Sequence, residues 1–470
     1  MTSDTILVLQ MQRMGDLVLT FPLLGRLQAI FPGRPIWVVG EEAFFKPLMA
    51  LSPGVTYFSY AAAPAMRRQR FHTVINLSHR PQAAALAGEV EAGRRIGPYA
   101  DAAGRLLVEG DWQLYRASLT HNNRYNLFHW ADLNCLDVAT PYIMTATTWP
   151  APRAVVPGSG ARIGLFLGAS EAEKHPDAAF WADLARTLLR RGHKPVLLGG
   201  AAEDALGKAV AGILRAPALN LCGRFSVATL ARFLGELDLL VTPDTGPMHV
   251  AAWLGTPVLN LSVGPVNPWE TGPFSPGHHV LRAGLNCAGC WRCTRKRYHC
   301  REEMTACKTA SVLDGLLSGH GPAHPPPGLE LLMTERDASG LYSLRPVEAR
   351  DADGTPDARS ARMAVSRFWQ AWFGAVFGFL PEDKARTGAQ VLRRDFPEEA
   401  GAMARAAANF ALKLVKGHRQ GDRVGGHSGE GLALAADSWR DAPASLRPFT
   451  GYVQMYAHNS VAGHDDAKRL

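Results

Sequence analysis

The segment Leu237-Asp238-Leu239-Leu240-Val241-Thr242-Pro243-Asp244-Thr245-Gly246-Pro247-Met248-His249 decides the fold. Its first half is an apolar run of strand length, and Val250-Ala251-Ala252-Trp253-Leu254-Gly255 follows its second half. The pattern reads as a buried strand, a sharp turn and a helix. Thr245 is a capping residue type, Gly246 lets a ligand approach the backbone, and Pro247 sits in the first turn, where a missing N–H costs little. The free amides and positive dipole end of such a helix suit an anion, most naturally a phosphate. An ordinary capped turn has the same local pattern, so the rest of the chain has to decide.

Similar units lie on both sides. Upstream, Ile6–Gln10 reads as a buried strand, Leu17 to Phe31 as a helix and Pro35–Gly40 as the next strand, with further strands at Thr73–Leu77 and Arg94–Gly97. Helices are expected at Ala83–Val90 and near Tyr125–Leu136. Pro and Gly cluster at 149–152 and 157–160, which marks a linker. A second series follows, with strands at Arg162–Leu167, Pro195–Leu198, Ala218–Leu221 and Pro257–Leu261, the last of them, and helices at Asp177–Arg191, Ala201–Leu214 and Val227–Gly235. Strand–helix alternation predicts parallel sheets with right-handed crossovers, one in each half. Gly158, Gly160 and Gly164 imitate a dinucleotide fingerprint, but they precede the strand instead of following it.

Composition bounds the function. The chain has 470 residues, 47% of them hydrophobic, enough for more than one core. A net charge of +8 suits an anionic ligand or membrane surface, but the basic clusters are short, so nucleic acid is not expected as a partner. No apolar run reaches the roughly 18 residues of a membrane span. Asp4 leads directly into Ile6-Leu7-Val8-Leu9, without a signal-peptide layout, and a cytoplasmic location is expected. Seven cysteines, an odd number, fit a reducing compartment.

Three separated patterns then line up: Met14-Gly15-Asp16-Leu17-Val18-Leu19-Thr20 after the first strand, Gly168-Ala169-Ser170 with Lys174, and Asp244–His249 with Gly264-Pro265 and Thr271-Gly272-Pro273. In this order, over roughly residues 5–315, the chain resembles glycosyltransferase family 9, the ADP-heptose:lipopolysaccharide heptosyltransferases. The resemblance implies an α/β GT-B fold, two Rossmann-like domains facing a cleft, here with a mostly helical C-terminal extension. The expected division is an acceptor domain over 1–153, a nucleotide-sugar domain over 154–317, and an extension over 318–470. It also implies inverting, metal-independent transfer of heptose from ADP-heptose to a lipopolysaccharide core or related glycan, with no cofactor required.

That chemistry needs a base on the acceptor side and positive groups on the departing diphosphate. The resemblance gives the first role to Asp16, whose plain alternative is a helix-capping carboxylate. It gives the second to Ser170, Lys174, Thr245, Gly246 and His249, with Asp244 on the sugar hydroxyls or the loop, since a carboxylate against phosphate repels. Glu203 and Phe225 are weaker candidates for ribose and adenine, a capping Glu and a core Phe being the alternatives. Arg13, His79 and Arg80 are candidates for an anionic acceptor, as is Arg94-Arg95. The pattern departs at Gln10, where many members carry arginine.

Cys287, Cys290, Cys293, Cys300 and Cys307 form C-x2-C-x2-C-x6-C-x6-C in a basic loop. A structural metal at Cys287, Cys290, Cys293 and Cys300, zinc first, is one reading; metal-free structural cysteines are the preferred one. Beyond the Pro-rich stretch His320–Pro327, a hairpin is expected at Leu331–Glu335 and Leu341–Leu344, and helices at Met363–Leu380 and Phe396–Lys416. The last fifty residues read as irregular. The apolar stripe Phe368, Trp369, Trp372, Phe373, Phe377 is expected to dock on a core, with peripheral contact at the inner membrane as the alternative. Other readings stay open: a different nucleotide-sugar donor, or a non-catalytic relative with a metal-binding cysteine loop.

Overall fold

The computed structural model describes residues 4–155, 158, 160–285, 287, 290, 293, 295–318, 325–347, 361–423, 433 and 436–467. Parts of the two expected linkers, 156–157 with 159 and 319–324, lie outside the described residues.

Two sheets carry the architecture. The first comprises β1 (Ile6–Gln10), β2 (Ile36–Gly40), β3 (Thr56–Phe58), β4 (Arg70–Asn76), β5 (Glu91–Ala100) and β6 (Leu106–Glu109), in the order β3-β2-β1-β4-β5-β6. All pairings are parallel except β5 with β6. Ile6, Leu7, Val8 and Leu9 are each fully buried, which is why β1 is an unbroken apolar run: both of its faces are covered. The second sheet comprises β7 (Arg162–Phe166), β8 (Lys194–Leu198), β9 (Leu219–Asn220), β10 (Leu239–Pro243), β11 (Val258–Ser262), β12 (His279–Ala283), β13 (Leu329–Arg336) and β14 (Tyr342–Pro346). Its order is β14-β13-β12-β11-β10-β7-β8-β9. With helices on parallel strands in both halves, this is the two-lobed GT-B arrangement.

Several elements differ from the sequence reading. The helix expected from Leu17 to Phe31 is two helices, Met14–Val18 and Phe21–Ile30. Thr20 Oγ1 donates to the Asp16 carbonyl and Pro22 removes an N–H, so the helix is interrupted between them. Near Tyr125–Leu136 only Trp130–Leu133 is helical. β12 is an additional strand, and the hairpin extends the second sheet by pairing antiparallel with it. The C-terminal end holds a helix, Arg447–Ala467, where irregular chain was expected.

That helix and helix Ala361–Val376 dock on the first lobe. Phe373 lies 4.5 Å from Tyr115 and Phe377 lies 4.9 Å from Trp112, centroid to centroid. Tyr452 packs on Phe373 and Phe377, and Asn459 exchanges two hydrogen bonds with the backbone of Val108, closing the open edge of β6. The lobes themselves are tied by polar contacts. Asp132 accepts from Arg26 of its own lobe and from Arg336 of β13, and His129 bonds the Gly272 carbonyl at 2.9 Å. No described helix is long and apolar enough to cross a membrane.

Candidate active site

In a parallel sheet, ligands bind beyond the carboxyl ends of the strands, where the strand order reverses. In the first sheet β1 stands between β2 and β4, and its carboxyl end runs into Arg13-Met14-Gly15-Asp16. In the second, β7 and β10 are neighbours from the two halves of the winding. Their ends run into Gly168–Lys174 and Asp244–Gly246. These loops line a single cavity of about 870 Å³ between the lobes, of a size for a nucleotide sugar.

The two motifs meet across it. A Cβ on Gly15 would lie 3.2 Å from His249 Cδ2 and 3.4 Å from Gly246 Cα. A Cβ on Gly246 would meet Met14 Cε at 2.7 Å. Two glycines therefore allow the first-lobe loop to approach the amino end of helix Gly246–Trp253.

Asp16 lines the cavity, half-buried. Its Oδ2 accepts from the Arg13 N–H at 3.2 Å, so it is partly a helix-end carboxylate as well. Burial raises its pKa, opposed by the charge of Arg116 and by the Arg13 N–H. A base with a raised pKa is a stronger proton acceptor once ionised.

Ser170, Lys174, Asp244, Thr245, Gly246 and His249 line the same cavity. Lys174 Nζ is 3.0 Å from Glu171 Oε1, so a diphosphate would share it with that carboxylate. Thr245 is the residue before the helix, yet its hydroxyl makes no capping bond. His249 is 6% exposed, its Nδ1 has no partner among the described residues, and burial pushes its pKa down to about 3. With the cavity empty it is therefore a neutral hydrogen-bonding ring. Asp244 accepts from Thr271 Oγ1 at 2.6 Å, and burial raises its carboxyl. Gly264, at φ +78°, packs where a Cβ would sit 2.4 Å from the Glu173 carbonyl, next to Lys174.

Glu203 and Phe225 also line the cavity. Glu203 Oε2 accepts from the Gly200 N–H at 2.7 Å and Phe225 packs on Phe233, so each also fills its plainer role. Of the acceptor candidates, Arg13 lines the cavity and is exposed, whereas His79 and Arg80 do not line it. Arg80 is ion-paired with Glu41. Arg95 is turned to the Ala87 and Val90 carbonyls and Arg94 to that of Asp137, so both serve the first lobe itself. Gln10 is buried and donates to Thr20 Oγ1.

The sequence reading missed Asn123, Trp130 and Glu270, which line the cavity too. Glu270 is 3% exposed and accepts from Asn123 Nδ2 and Trp130 Nε1, across the lobes. Burial raises it to about 7. Its available signal was a lone carboxylate in the otherwise uncharged Pro268-Trp269-Glu270-Thr271-Gly272-Pro273. Arg116 was missed as well: it is 7% exposed, packs 4.8 Å from the Trp130 ring centre, and its charge acts on both Asp16 and Glu270.

The cysteines lie apart from this chemistry. Cys287, Cys290, Cys293 and Cys300 line a small cavity of about 20 Å³ beside Gly264, and Cys307 is exposed. Among the described residues, no three His, Cys, Asp or Glu side chains stand in a metal-holding arrangement. Cys135 and Cys222 are buried, as expected.

Comparison with known proteins converges on one family. The model of glycosyltransferase family 9 (heptosyltransferase) matches residues 60–299. Lipopolysaccharide heptosyltransferase 1 of Pseudomonas aeruginosa is 35% identical over 162 residues, 32% of this chain and 44% of that protein. Lipooligosaccharide heptosyltransferase 2 of Campylobacter jejuni is 28% identical over 163 residues, 33% of this chain and 50% of that protein. The matched segments thus span about half the length of these curated relatives or less. Among solved structures, the ADP-heptose lps heptosyltransferase II of E. coli aligns with 67% of this chain and 98% of its own at 19% identity, with a TM-score of 0.46. With both motif-bearing loops on one cleft and the family model covering just over half of the sequence, the chain belongs to glycosyltransferase family 9, the heptosyltransferases.

Proposed function

We propose that the protein is an inverting, metal-independent transferase that moves heptose from ADP-heptose to a lipopolysaccharide core or related glycan at the cytoplasmic face of the inner membrane. The observation that carries this reading is the opposition of Asp16 to the amino end of helix Gly246–Trp253 across one cavity. An acceptor hydroxyl attacks the anomeric carbon from the side of the first lobe, and Asp16 takes its proton. The bond to the diphosphate oxygen breaks on the far side, and ADP leaves. Charge growing on that oxygen is met by Lys174, the Thr245 and Ser170 hydroxyls and the helix amides. These groups supply the positive potential that a divalent cation provides elsewhere, which is the reason for proposing metal independence. Glu203 and Phe225 are the nucleoside side of the same cavity in this reading.

The test is transfer from ADP-heptose, followed by mass spectrometry of the glycan. Asp16→Asn is expected to lower kcat by about 10²–10⁴-fold, the usual contribution of a positioned base, while ADP binding persists. Full activity of Asp16→Asn would overturn the mechanism. Excess EDTA is expected to leave the rate unchanged; loss of activity restored by added metal would overturn metal independence.

A further inference from the structure

The first-lobe side of the cleft is rich in hydrogen-bond acceptors and short of donors. Asp16 and Glu270 present carboxyl groups to it. Asn123 spends its amide N–H on Glu270, and its Oδ1 is buried with no partner among the described residues. Trp130 spends its only N–H on Glu270 as well. The cation at this end, Arg116, is shielded: it packs against Trp130 and does not line the cavity. Gln10, at the end of β1, is buried, does not line the cavity and donates to Thr20 Oγ1. Arg13 lines the cavity next to Asp16 and is exposed.

A buried acceptor oxygen without a donor costs free energy until a ligand donates to it. Hydroxyls donate to such an oxygen; carboxylates and phosphates at neutral pH do not, and an ionised Asp16 repels them. The indole of Trp130 supplies apolar surface for the C–H face of a sugar ring.

We propose that the reacting end of the cleft is a subsite for an uncharged, polyhydroxylated sugar ring of the acceptor, held by Trp130, Asn123 Oδ1 and Glu270, with one hydroxyl delivered to Asp16. This deepens the transferase reading and rests on it for the role of Asp16. Anionic groups of a larger acceptor then lie towards Arg13. Glu270 and Asn123 are specificity-determining residues here: they select the acceptor ring and do not take the proton.

The test separates binding from turnover. Full-length protein with ADP bound is titrated with methyl heptoside or hexoside, and separately with the methyl glycoside of a sugar acid, and binding is read by saturation-transfer NMR. The neutral glycosides are expected to bind at least tenfold more tightly. Glu270→Gln is expected to raise the KM for a neutral acceptor about tenfold in the transfer assay, with kcat and the Kd for ADP little changed. Trp130→Phe, which keeps a smaller aromatic face and removes the N–H, is expected to weaken neutral-glycoside binding in the same direction, and serves if Glu270→Gln does not fold. Equal or tighter binding of the acidic glycoside overturns the proposal, as does an unchanged acceptor KM in Glu270→Gln. If ADP-heptose gives no transfer while neutral glycosides still bind selectively, the donor assignment fails and the subsite stands.

Discussion

At the scale of single residues, the cleft is set by how burial treats charge. Asp16 and Glu270 are both raised by desolvation, and both feel the same buried guanidinium, Arg116. Without that cation each would be harder to ionise near neutral pH. Glu270 makes the consequence measurable. Its folded pKa of about 7 exceeds the ordinary value of 4.5, so the native state binds its proton more tightly than the unfolded chain does. The associated stability is fully present below about pH 4.5 and is lost as pH rises through about 7. Glu270→Gln, which cannot ionise, is expected to lack this loss. Between pH 5 and 8 its stability relative to wild type should rise by about 1–3 kcal/mol. Denaturant titrations at several pH values check this; parallel pH profiles for the two proteins would show that Glu270 is not buried as described. For Asp16, the proposed base, the direction has a kinetic meaning: the rate should fall on acidification at a pH above the normal aspartate range, because a base must be ionised to act.

At the scale of elements, the glycines fix how closely loops can approach. Gly264 has φ +78°, and its missing Cβ leaves room for the Glu173 carbonyl in the loop that carries Lys174. Gly264→Ala forces both a strained backbone and a clash with main chain. It is expected to lower stability by about 1–3 kcal/mol and to raise the KM for the nucleotide sugar more than it lowers kcat. Thermal melts with and without ADP, together with steady-state kinetics, check both parts; an unchanged KM would mean that the Lys174 loop does not hold the donor. What was legible in the sequence follows the same local logic. Apolar runs such as Ile6–Leu9 and Leu239–Val241 announced β1 and β10, and the turns after them announced the cleft. Less legible was chain whose polar side chains replace secondary structure. Between 122 and 129, Asn126 Oδ1 accepts from the Phe128 N–H and His129 Nδ1 from the Ala131 N–H, so the expected helix shrinks to one turn. The residues missed at the site, Asn123, Trp130 and Glu270, are bonded to one another across more than a hundred positions of sequence. No spacing rule reaches that far.

At the scale of the whole molecule, the C-terminal region completes the first lobe. Read locally, its last fifty residues looked too rich in Gly, Asp and His to be regular. Tertiary packing overrides that composition: Phe449 stacks on Trp369 and Tyr452 lies against Phe373, which holds helix Arg447–Ala467 in place. Of the stripe, Phe373 and Phe377 are thus spent on Tyr115 and Trp112, and Trp369 on Phe449. Phe373 is fully buried at the centre of this contact. Phe373→Ala removes a ring that its surroundings cannot refill, and should cost about 3–5 kcal/mol in the unfolding of the first lobe. Leu412→Ala, at a position 58% exposed on helix Pro397–Arg423, is the control and should stay within about 0.5 kcal/mol of wild type. In the proposed reading the nucleotide sits on the second lobe, so ADP binding should survive Phe373→Ala at temperatures where the first lobe is still folded. Denaturant unfolding followed by tryptophan fluorescence reads the difference, since Trp112, Trp369 and Trp372 report on the docked face. Equal midpoints for Phe373→Ala and Leu412→Ala would mean that the stripe is not buried against the first lobe in solution and is available to a membrane or another partner.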